Sequence, residues 1–171
     1  MKSRLTIALI GMGLLFAAAP ALRGSETGPE AMISHARTAV LAPHFSREAI
    51  DKALVEVLDA SLMILPKTDY EGEFRSLVEA VRGKIGAGEL FSDKAYQDLG
   101  SAYKLVSGGK AWQVPEELKA PNREKNGIDQ ATKICLKLLD SALAERKAGR
   151  NETAVRGLLG FVLLVVTPME A

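Results

Sequence analysis

Apolar residues recur at intervals of three and four along most of this chain, the period of an α-helix with one face turned to a core. After Ser46, a residue type that caps helix N-termini, Ile50, Leu54, Val57, Leu58 and Leu62 line one face until Pro66. Glu48 and Asp51 fall near the positive end of that helix. Phe74, Leu77, Val78, Val81 and Ile85 repeat the pattern in a helix that starts at Asp69 and stops at Gly86 and Gly88. Ser92 caps a fourth helix with a narrow seam of Tyr96, Leu99, Tyr103 and Val106, ended by Ser107-Gly108-Gly109. A fifth opens at Asn126-Gly127, turns Ile128, Ala131, Ile134, Cys135, Leu138, Leu139 and Ala142 inward, and ends at Gly149.

Two segments depart from this amphipathic pattern. A short first helix over 30–42 is stopped by Pro43. The last, from Asn151, is apolar nearly all round from Gly157 to Val166, which predicts a central, buried helix. The β-branched run Phe161 to Thr167 also fits a strand, but nothing of similar character pairs with it, and a lone strand leaves backbone groups unsatisfied. The fold class expected is all-α: a single-domain bundle of four to five main helices over residues 22–171.

One connection is long. Residues 107–126 hold Gly108, Gly109, Pro115 and Pro121, seven charged residues and the only tryptophan, Trp112. Loops of this length are uncommon in compact domains and are often functional. Pro115-Glu116-Glu117-Leu118 fits one helical turn. Two readings follow: a strap whose Trp112 and Leu118 pack back onto the bundle, or a binding lip over one of its ends.

The N-terminus has a different grammar. Lys2 and Arg4 precede 15 uncharged residues, 5–19, and Ala19-Pro20-Ala21 closes the segment with small side chains. This is the layout of a secretory signal peptide, residues 1–21. The apolar run is shorter than the ~18 residues a transmembrane span requires. No cysteine stands at its end to carry a lipid anchor, and no twin-arginine pair precedes it. The expected product is exported, periplasmic rather than extracellular, and without stable membrane insertion.

Charge and cysteine content narrow the classes of function. Loss of Lys2 and Arg4 takes the basic count from 22 to 20 against 21 acidic residues, a net charge near −1. A dedicated nucleic-acid binder would carry a basic stripe instead. Cys135 is the single cysteine, so no intramolecular disulfide forms; its apolar setting predicts a buried, unreactive thiol. No CxxC or CxxCH occurs, which excludes thioredoxin-type chemistry and covalent c-type haem. Asn151-Glu152-Thr153 matches a glycosylation sequon, with meaning only in a eukaryotic secretory pathway.

The usual catalytic constellations are missing. Ser34 and His35 are adjacent and so point in different directions on a helix. No GxSxG or HExxH is present, and the glycines between Gly83 and Gly88 lack the GK[ST] ending of a phosphate loop. The carboxylate pairs Glu48/Asp51 and Glu56/Asp59 lie one turn apart on ordinary charged helix faces. The function expected is therefore non-enzymatic binding, of a protein partner or a small apolar ligand held between helices. Trp112, Tyr96 and Tyr103 are the expected contacts, each offering area together with a polar handle. The alternative is a non-covalent haem or copper site joining His35 or His44 to Met63 or Met169. His35 and His44 are nine residues apart, about 180° around a helix, so they do not share a face. The oligomeric state is left open by the sequence.

Overall fold

The computed structural model describes residues 28–43, 46–89, 92–119 and 122–167. The expected signal peptide, His44 and Met169 lie outside the described residues. Six α-helices follow one another: α1 (Pro29–Leu41), α2 (Arg47–Ile64), α3 (Glu71–Gly86), α4 (Asp93–Val106), α5 (Asn122–Lys147) and α6 (Asn151–Val166). A short 3-10 turn, Glu116–Leu118, interrupts the connection from α4 to α5. No strand occurs among the described residues, and the chain is all-helical.

Local chemistry sets most of the helix ends. Ser46 Oγ accepts from the Ala49 amide at 3.1 Å, and Ser92 Oγ accepts from the Ala95 amide at 3.2 Å, so both expected caps are made. Ala42, held extended before Pro43, ends α1 one residue earlier than the pattern predicts. Asp69 and Tyr70 form a turn, so α3 begins at Glu71 rather than Asp69.

The larger correction is α5. It starts at Asn122, four residues before the expected Asn126, and Gly127 lies inside it. Arg123, Glu124 and Lys125 are strong helix formers, and a single glycine costs only about 1 kcal/mol in a helix of 26 residues. The long loop expected over 107–126 is accordingly reduced to 107–121.

The layers are organised around α6. Ten of its 16 residues are buried, including Leu158, Leu159, Phe161, Val162 and Leu163. It packs on α2, α4 and α5, while α1 joins α2 to α5 and α3 joins α2 to α4. One continuous apolar core runs from Ile33 of α1 through Leu54, Phe74, Leu99 and Leu139 to Leu158. The expected central helix is thus central, and α1, although short, is a full packing partner.

α5 and α6 form an antiparallel hairpin turned by Gly149 at φ 77°. Gly157 lets the two backbones approach: a Cβ there would stand 3.5 Å from both the Ala142 Cβ and the Leu138 carbonyl oxygen. Between helices, arginines tie the outside of the bundle together. Arg82 meets Asp59 through Nε at 2.5 Å and Nη2 at 3.0 Å, joining α3 to α2. Arg37 and Arg146 join α1 to α5 through Asp140 at 2.6 Å and Glu30 at 3.1 Å.

Phe161→Ala is expected to lower stability by about 3–5 kcal/mol, the cost of an aromatic cavity in a packed core. Gly100→Ala, in α4 with open space where the methyl would stand, is expected to raise it by just under about 1 kcal/mol. Urea titrations followed by circular dichroism measure both, and an unchanged midpoint for Phe161→Ala would contradict a core centred on α6.

Candidate functional site

Two places combine unusual backbone with unusual side chains: the connection from α4 to α5, and the polar end of the bundle where α6 begins.

The connection leaves α4 by a tight reversal. Gly108 at φ 64° and Gly109 at φ 86° occupy the left-handed region that glycine tolerates best. The Gly109 amide donates to Lys104 O at 2.8 Å, and the Ser107 hydroxyl donates to Lys110 O at 2.6 Å. Beyond Lys110 the backbone makes only two internal bonds, Leu118 N to Pro115 O at 2.9 Å and Lys119 N to Glu116 O at 3.2 Å. The segment meets the bundle through side chains. Leu118 is buried, Trp112 and Val114 are half-buried against the core, and the 3-10 turn rests on α5.

Trp112 has a defined seat. Gly160 of α6 is buried, and a Cβ added to it would stand 3.8 Å from the indole Nε1 and 3.7 Å from Leu138 Cδ2. The indole therefore lies across the α5–α6 seam at the point where α6 has no side chain. Its N–H has no acceptor among the described residues. Trp112 and Leu118 thus pack back onto the bundle.

Tyr96 and Tyr103 are both half-buried against the core and lie two turns apart on one face of α4. Among the described residues, neither hydroxyl has a protein hydrogen-bond partner, and no ring contact joins either tyrosine to Trp112. The three expected contact residues thus stand on consecutive segments with no ring contact between them.

The metal alternative finds less support in the geometry. His35 is exposed on α1, with Nδ1 3.6 Å from Glu56 Oε1, beyond hydrogen-bonding distance. Met63 is 56% exposed on α2 and lies seven residues past Glu56, two turns further along the helix. No group of three or more His, Cys, Asp or Glu residues placed to hold a metal occurs among the described residues.

The polar end is an open groove of about 340 Å³ lined by Pro66 and by Gly149, Arg150, Asn151, Glu152 and Thr153. Its polar groups are largely spoken for. Asn151 Oδ1 accepts from Arg146 Nη1 at 2.9 Å, and Arg150 pairs with Glu145. Tyr70 donates its hydroxyl to Glu152 Oε1 at 2.8 Å. Burial, then the hydrogen bond and charge of Glu152, push the Tyr70 phenol up to about 12, so it remains a donor. One turn on, Arg156 donates through Nε at 3.2 Å and Nη2 at 3.0 Å to Val106 O, the last carbonyl of α4. This end is a junction that locks α6 to α3 and α4.

The sequence reading missed Gly160, Arg156 and Tyr70. Arg156 did leave a signal, being the only charge between Ala154 and Thr167. The seat at Gly160 left none, because only the fold brings Trp112 over it.

Comparison with protein-family models, curated proteins and solved structures returned no match.

Cys135 behaves as its setting predicts. It is buried on α5, has no hydrogen-bond partner among the described residues, and desolvation pushes its thiol up to about 12. Burial is the one cause of that shift, and no charged partner among the described residues offsets it. Native protein at pH 8 is expected to resist iodoacetamide, with full modification only in denaturant. A folded-state value above that of the unfolded thiol also means stability that is complete below about pH 8.5. That contribution is lost as pH rises toward 12. Rapid native alkylation, read by mass spectrometry, would contradict this burial.

Proposed function

We propose that this protein is an exported, non-enzymatic helical bundle that acts by binding, engaging a protein partner or a small apolar ligand along the edge formed by α4 and the strap. The periplasm is the compartment that best suits a disulfide-free, near-neutral domain behind a signal peptide. One observation carries the reading. Trp112, the only tryptophan, is half-buried over Gly160, and its indole N–H has no acceptor among the described residues.

Buried tryptophans ordinarily place that N–H on a partner, and tryptophan contributes heavily where proteins recognise one another. A half-covered indole with a free donor has both apolar area and a directional group to offer. Tyr96 and Tyr103 have the same character on the preceding helix, with half-buried rings and hydroxyls unbonded within the described protein. All three side chains pair an apolar body with a polar tip.

The test is affinity isolation from the exported fraction, with wild type beside Trp112→Ala and the double variant Tyr96→Phe/Tyr103→Phe. Circular dichroism confirms that each variant is folded. A central contact is expected to cost about 2 kcal/mol, roughly thirtyfold in affinity, on truncation to alanine. Trp112 emission gives the same answer for small ligands, since a molecule that engages the indole shifts or quenches it. Equal recovery by all three proteins, with no emission change across a panel of apolar ligands, would overturn the reading.

A further inference from the structure

We draw no further inference here: the strongest candidate, the open groove at the start of α6 lined by Arg150, Asn151 and Glu152, rests on a helix N-terminus alone, because those three side chains are already bonded to Glu145, Arg146 and Tyr70 respectively.

Discussion

The need to surround α6 shapes the rest of this molecule. A helix that is apolar on nearly every face cannot lie at a surface, so other helices must cover it on all sides. α2, α4 and α5 do so directly, and α1 and α3 complete the outer layer by bridging them. Each outer helix then needs only a one-sided apolar stripe, and that is what their sequences carry. Without α6 the stripes of α2, α4 and α5 would face an empty centre, so the amphipathic helices are as dependent on it as it is on them.

Burying such a helix raises the question of its ends, where unsatisfied backbone groups meet the core. The solution uses charge at the edge. Arg156, the single cation of the segment, reaches out to the last carbonyl of α4, and Glu152 receives the hydroxyl of Tyr70. These bonds add direction to an interaction that has none of its own, because apolar burial alone would allow α6 to slide or rotate. Gly157 makes a related contribution on the α5 side. It brings two backbones to a distance that a large side chain would forbid, and so fixes the depth at which α6 sits in the hairpin.

Much of this was legible in the sequence because it rests on local rules. The caps at Ser46 and Ser92, the stop before Pro43, the turns at Gly88 and Gly149 and the central place of α6 all follow from residue type and spacing. The start of α5 was misplaced because Asn126-Gly127 resembles a boundary, whereas the charged residues before it propagate helix well enough to absorb one glycine. The candidate site was legible only in outline. That Trp112 stands in an irregular segment is written in the chain, but its seat joins Gly160, Leu138 and a strap more than 20 residues from either. No periodicity encodes a contact of that range. Arg156 was visible as an isolated charge, while its acceptor, a backbone carbonyl 50 residues away, was not.

The same contrast bears on function. Where the chain needs permanence it uses several kinds of bond at once, as at the start of α6, where ion pairs, amide contacts and helix packing coincide. Over the α5–α6 seam Trp112, Val114 and Leu118 pack on the core, beside two glycines at positive φ that turn the chain out of α4. The indole lies over Gly160, a residue with no side chain, and its N–H has no acceptor among the described residues. A half-buried indole in that state is the feature on which the proposed binding role rests.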